Sequence, residues 1–519
     1  MAYRDETRTF AQLGRDVEEI ASGFVALGTD PGDRVGLFLG NCFEWLEVEY
    51  AVTATGGWLV PINTMLHERE LAHVIGQSEM STLIWGAELL GRGTIGRLLE
   101  LVPELEGSEV GRWRSSRFPA LRQVIGIGEG PWPEGVTRWR RLLDAGADVD
   151  PTVVATRKAT VSADDIALVM YTSGTTGSPK GALIAHGGIV DHIGVWCTHL
   201  GLGPDDRSIM ASPLFWSFGC TINAVVPLLA GSMIVLEERF DAAQFLYDLT
   251  AYGCTHLQGV PTQYELALAH PDAALSDLSK IRLVQIGGSS SAEGLARRIL
   301  ARMPDAQLLS SYGLTEAVGV NTFTELGDPL EDIMETVGHA TPDNDIELRH
   351  VETRSPVAPG EVGEIWLRGP HVMAGYFADP KATADTIVDG WLRTGDLATG
   401  DERGYLTVVG RRVDAYKRGG MNVYPAEIEG ILLEHEAVAE AAVIAVDDEL
   451  WGQVGEAFVV PGPAGPPDPE ALLELCRERL AAYKVPASVR FVSELPRTPT
   501  GKVQKFKLAE LRQRIPETS

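Results

Sequence analysis

Cysteine is scarce in this chain: Cys42, Cys197, Cys220, Cys254 and Cys476 are scattered, with no C-x-x-C pair among them. Neither a disulfide framework nor a cysteine zinc site is indicated, so reduced, buried thiols are expected. Positive charge is also short, with 44 Lys and Arg against 72 Asp and Glu and a net charge of -28. Phosphate backbones are bound through an excess of Lys and Arg, which excludes a nucleic-acid partner. Long apolar runs are missing as well. The run around Ala224 to Leu236 falls short of the roughly 20 residues of a membrane-spanning helix and reads as a buried strand-turn-strand. The opening Met-Ala-Tyr-Arg-Asp-Glu lacks the basic head and apolar stretch of a secretory signal, so a cytoplasmic address follows by default.

What is present is an ordinary globular composition, 45% hydrophobic and 22% charged over 519 residues. Single cores stop growing near ~250–300 residues, so at least two lobes are expected. Strand-like runs at Val35–Leu39, Trp58–Ile62, Ile166–Tyr171, Met233–Leu236, Leu283–Ile286 and Leu308–Ser311 alternate with amphipathic stretches such as Gln244–Ala251 and Ala292–Arg302. That rhythm predicts α/β layers of parallel sheets covered by helices. Past about Gly360 shorter strands, Glu364–Arg368 and Tyr405–Val409, predict a small β subdomain. Beyond Arg411 come a helix from Pro425, strands at Val438–Val446 and Glu456–Val460, and a helix from about Pro469, an α+β unit. A domain boundary is therefore expected at Arg411–Asp414, giving domains 1–411 and 412–519. The Pro/Gly-rich stretch Pro461–Pro469 reads as a surface loop.

The strongest local signal is Y-T-S-G-T-T-G-S-P-K-G, Tyr171 to Gly181, directly after the apolar strand. Glycines at 174, 177 and 181 let backbone N–H groups turn inward, and the hydroxyls of Thr172, Ser173, Thr175, Thr176 and Ser178 add further donors, so the segment can wrap a polyphosphate. Pro179 before Lys180 and Gly181 after it break the Walker pattern, which removes a P-loop ATPase. G-R-G-T-I-G at Gly91–Gly96 matches a dinucleotide fingerprint by spacing only, because Ala87–Leu90 reads as helix or loop. No G-x-S-x-G elbow occurs, so no serine hydrolase nucleophile can be named.

Together with S-Y-G-L-T-E (Ser311–Glu316), G-W-L-R-T-G-D (Gly390–Asp396), G-Y-L (Gly404–Leu406), G-G-M-N-V-Y-P-A-E-I-E (Gly419–Glu429) and P-R-T-P-T-G-K (Pro496–Lys502), the chain resembles the acyl-adenylate-forming superfamily over nearly its whole length. The resemblance implies a large N-terminal lobe of two helix-covered sheets plus a β-barrel-like subdomain, followed by a mobile α+β domain. It also implies ATP, Mg²⁺ and coenzyme A as cofactor and cosubstrates. By the same resemblance Lys502 is the adenylation lysine bridging substrate carboxylate and α-phosphate, and Glu316 with Thr172 holds Mg²⁺. Thr172, Ser173, Gly174, Thr175, Thr176, Gly177 and Lys180 cradle the phosphates. Tyr312 faces the adenine, Gly288, Ser289 and Ser290 approach its edge, and Ser311, Gly313 and Thr315 are further cofactor-binding residues.

Asp396 then takes the ribose hydroxyls, Arg411 the ribose or phosphates, and Lys417, Gly419 and Gly420 face coenzyme A. Phe215, Trp216, Gly288 and Gly313 line the acyl tunnel. Val413 departs from the Lys or Asp common at the hinge, and the N-terminal segment is abbreviated ahead of a strand expected at Arg8–Phe10, through an internal start or a trimmed domain. The implied reaction is carboxylate plus MgATP to acyl-AMP and pyrophosphate, then thiolysis to acyl-CoA. A carrier-protein thiol as acceptor, a luciferase-like oxygenase and a fold without turnover stay open as alternatives. The acid, whether fatty, alicyclic, aromatic or terpenoid, is also open, and a homodimer is the default assembly.

Overall fold

The computed structural model describes residues 1–172, 179–287, 293–419, 421–463, 465–497 and 503–512. Packing groups the chain into two compact units, Met1–Asp345 with Leu367–Leu392, and Ile346–Trp366 with residues from Arg393 onward. This grouping follows packing; a hinge at Arg411–Asp414 concerns rotation, a separate property.

The first unit contains two large sheets. One runs in the order Gly375–Tyr376, Lys180–Ala185, Ile166–Thr172, Trp58–Pro61, Arg34–Phe38, Thr82–Gly86, Gln123–Ile127, Thr137–Arg138. Its middle strands are parallel and read as unbroken apolar runs, with Val35, Leu37, Phe38, Leu83, Ile84 and Trp85 all fully buried. Strands with both faces covered have no need of a polar alternation. The other sheet is parallel from Ala2–Tyr3 through Met233–Leu236, Arg207–Met210, His256–Gly259 and Leu283–Gly287 to Gln307–Tyr312. Antiparallel strands Thr322–Phe323 and His339–Ala340 extend its edge.

In the second unit, strand Leu406–Arg411 pairs antiparallel with Trp391–Gly400. A separate sheet is built around the hairpin Val438–Asp448 and Gly452–Pro461, joined by Ser488–Phe491, Tyr416–Arg418 and Met421–Val423. Helices Pro425–Leu433 and Pro469–Arg479 bury Ile428, Leu432, Leu472 and Cys476 in one core cluster. Leu508 of helix Lys505–Arg512 packs with Ile444 and Phe458 in another. Within this sheet Glu456, 1% exposed, is 2.6 Å from Arg490 and 2.7 Å from Arg512.

Three local expectations are corrected. Ala224–Ala230 is a helix ended by Gly231 at φ +68°, and only Met233–Leu236 is a strand. An apolar run does not distinguish a buried helix from a strand. Glu88–Leu89 and Arg92–Gly93 form a small hairpin where helix or loop was expected. At the N-terminus the strand is Glu6–Thr7, and Phe10 already begins a helix whose N-cap is Thr9, with a capping box to Gln12. Among the described residues, no helix is long and apolar enough to cross a membrane. Cys220, Cys254 and Cys476 are buried, while Cys42 and Cys197 are half-buried, and all five are free.

Candidate active site

The glycine-rich segment is bounded by two paired strands. Strand Ile166–Thr172 pairs antiparallel with Lys180–Ala185, and Thr172 faces Lys180 in register. Further bonds fasten these ends: the Tyr171 hydroxyl donates to Gln77, and His73 Nε2 lies 3.0 Å from the Pro179 carbonyl. Ser173, Gly174, Thr175, Thr176 and Gly177 lie outside the described residues, as do Gly288, Ser289, Ser290, Gly420 and Lys502.

Glu316 reaches the same place from another strand. It sits in a 3₁₀ turn, Thr315–Ala317, just after Gln307–Tyr312, rather than at the strand end itself. The Thr172 hydroxyl donates to its Oε1 at 3.2 Å and the Tyr376 hydroxyl donates to the same atom at 3.0 Å. Among the described residues no hydrogen bond reaches Oε2. Lys180 Nζ lies 5.4 Å from the Tyr376 ring centroid, a cation–π distance. Burial first, then the nearby Glu316 charge, hold the Tyr376 phenol above the usual tyrosine range, so it stays a donor. Tyr376 was missed in sequence reading, because its role comes from the short strand Gly375–Tyr376 pairing with Lys180–Ala185, which its G-Y-F context does not announce.

The turn after Tyr312 is shaped by close backbone approach. A Cβ at Gly313 would overlap the Gly319 carbonyl, and Gly319 itself has φ +98°. Met373 N–H donates to the Glu316 carbonyl at 2.8 Å, tying that turn to the segment that carries Tyr376. Ser311 is buried and accepts from Gln285 Nε2 at 2.8 Å. A Cβ at Gly319 would meet Ile222 and come within 3.8 Å of Ser217 Oγ, so the Trp216 segment runs beside this turn. Phe215 and Trp216 meet edge to face, centroids 5.6 Å apart, and the buried Trp216 Nε1 has no partner among the described residues.

In the second unit Asp396 is buried opposite Arg411, whose Nε lies 2.9 Å from Asp396 Oδ1. Lys417 pairs with Glu352 at 3.2 Å. Gly419 adopts φ +57° and donates its N–H to the Trp451 carbonyl at 2.8 Å. Thr172, Lys180, Glu316, Ser311 and Gly313 are thus brought together in one unit, and Asp396 with Arg411 in the other.

Residues 1–377 match the family model for AMP-binding enzyme, and residues 427–502 match that for the AMP-binding enzyme C-terminal domain. A feruloyl-CoA synthase of Amycolatopsis is 36% identical over 513 residues, covering 98% of this chain and 94% of the relative. A mitochondrial medium-chain acyl-CoA ligase of Mus musculus is 31% identical over 507 residues, covering 96% and 82%. The crystal structure of ATP-bound MatB from Rhodopseudomonas palustris superposes with a TM-score of 0.85 at 29% identity, covering 98% of this chain and 95% of that one. With its sheets, glycine-loop flanks and C-terminal domain matched along nearly the whole sequence, the chain belongs to the AMP-binding enzyme family.

Proposed function

We propose that the chain is an AMP-forming carboxylic acid–CoA ligase: it adenylates a carboxylic acid with release of pyrophosphate, then passes the acyl group to coenzyme A with release of AMP. The observation that carries this reading is the convergence of Thr172, Lys180, Tyr376 and Glu316 where the two loop-flanking strands end.

Attack of a carboxylate on an α-phosphate joins two anions, and each like-charge pair at ~4 Å costs ~4 kcal/mol at an effective dielectric near 20. The chain answers with Lys180 and Lys502. Glu316 and Thr172 would hold Mg²⁺; one carboxylate with an open oxygen beside a hydroxyl fits an ion that takes one or two carboxylates and leaves its other positions to phosphate and water. When bound, that ion supplies Lewis-acid charge neutralisation at the phosphates. Asp396 accepts from the ribose hydroxyls, beside Arg411. Phe215, Trp216, Gly288 and Gly313 line the acyl pocket. Residues 412–519 turn about Arg411–Asp414 between half-reactions, exchanging Lys502 for Lys417, Gly419 and Gly420 at the thiol.

A panel of acids scored by pyrophosphate release, with and without coenzyme A, tests the reaction. In the same assay Lys502→Ala is expected to lower adenylation by roughly 10²–10³-fold, while thiolysis of a supplied acyl-adenylate persists. Adenylation at full rate in this variant would overturn the assignment. Pyrophosphate release without acyl-CoA would redirect the proposal to a carrier-protein thiol.

A further inference from the structure

Three side chains distant in sequence meet inside the first unit. His192 comes from helix His186–Leu200, Asp343 from the turn after strand His339–Ala340, and His371 from the turn after strand Gly363–Arg368. Both histidines are 1% exposed, and their rings stack with centroids 4.0 Å apart. Their Nδ1 atoms face one oxygen, Asp343 Oδ2, at 2.8 Å from His192 and 3.7 Å from His371.

The proton inventory leaves a deficit of positive charge at the centre of this group. His192 Nε2 meets the Val320 carbonyl, which only accepts, so that nitrogen carries the hydrogen. A neutral His192 then aims the lone pair of Nδ1 at a carboxylate oxygen. A proton could sit between them, but it would leave His371 unexplained: among the described residues neither of its ring nitrogens has a hydrogen-bond partner, nor has Asp343 Oδ1. Buried polar atoms are rarely left so.

A divalent cation accounts for the unpartnered His371 nitrogens, provided that the stacked rings, with planes 16° apart, splay so that both Nδ1 lone pairs reach it. The three donor atoms lie within 4.8 Å of one another. A tetrahedral ion with bonds of ~2.1 Å separates its ligands by about 3.4 Å, between the two distances seen here. Two imidazoles and a carboxylate suit zinc and its first-row neighbours, whereas Mg²⁺ prefers oxygen donors. Donation of the remote ring N–H to a backbone carbonyl is also how metal-bound histidines are usually oriented.

We propose that His192, Asp343 and His371 form a structural site for a divalent transition metal, zinc foremost. Its neighbours define what it would hold in place. Val320 follows Gly319 in the turn of Glu316, and Met373, two residues after His371, donates to the Glu316 carbonyl. The ion therefore fastens both segments that flank the Glu316 turn.

The test uses the full chain, stripped with a chelator and returned to zinc in excess Mg²⁺ without nucleotide. Elemental analysis is expected to find about one zinc per chain. Co²⁺ in its place is expected to give a visible absorption band from nitrogen ligation, and zinc to raise the thermal midpoint. His371→Gln and Asp343→Asn, each checked by circular dichroism, are expected to lose the bound zinc. Should a variant fail to fold, the wild-type stoichiometry and Co²⁺ band decide alone. Wild-type protein that retains no zinc and gives no Co²⁺ band, or a folded His371→Gln that binds as much zinc as wild type, overturns the proposal in favour of a proton-bridged His192–Asp343 pair.

Discussion

The Thr172 hydroxyl donates to Glu316 Oε1 at 3.2 Å across 144 positions of sequence. Glu316→Gln preserves the shape and an oxygen for both hydroxyl donors while removing the charge. Adenylation is expected to fall by roughly 10²-fold, with a higher Mg²⁺ requirement. Steady-state pyrophosphate release over a Mg²⁺ series measures both, and an unchanged Mg²⁺ dependence would remove Glu316 from the metal role.

Val413 is 59% exposed, and the backbone turns there through N–H donations from Asp414 and Ala415 to the Arg411 carbonyl. Val413→Pro fixes φ where rotation is proposed. Acyl-adenylate formation is expected to continue while thioester formation slows by roughly tenfold or more. Single-turnover assays of each half-reaction separate the two, and equal rates for both would place the hinge elsewhere.

Glu456 is the acceptor between Arg490 and Arg512, and also takes the Ser488 hydroxyl at 2.9 Å. Glu456→Ala removes the carboxylate 2.6 Å from the Arg490 guanidinium, which is only 5% exposed. The expected loss is about 3–5 kcal/mol of stability, read from denaturant unfolding. A change under about 1 kcal/mol would mean that water or another acid compensates.

Glu237 is buried with neither carboxylate oxygen hydrogen-bonded among the described residues. Burial, then Asp248 and Asp241, push its pKa from 4.5 up to about 9. Between those values the folded chain keeps a proton that the unfolded chain releases, so stability falls as pH rises, by at most ~1.4 kcal/mol per pH unit. Glu237→Gln is expected to flatten the profile from about pH 5 to 9 and to be the more stable form at about pH 8. Parallel urea midpoints for the two proteins across that range would show that Glu237 is charged in the fold.

Much of this was legible in the sequence, where chemistry and period agree. Met233–Leu236 was read with its observed bounds because a compact apolar run follows Gly231 and Ser232. Ala224–Ala230 was misread, although Gly231 in a left-handed conformation is the ordinary stop of a helix and was there to be weighed. Glu316, Lys180 and Thr172 were visible because they sit in dense motifs. Tyr376 was not, since its meaning depends on the strand that lays it beside Lys180. The His192, Asp343 and His371 group has no sequence spacing to betray it; only the fold brings a helix and two turns to one point.

The pairing of Thr172 with Lys180 also constrains how this family member can vary. Side chains alternate faces along a strand, so sliding one rung would swing Thr172 to the far side and break its link with Glu316. Changes in loop length are thus tolerable only if both roots keep their rung. A single deletion compensated by strand slippage would leave a stable sheet with a silent enzyme.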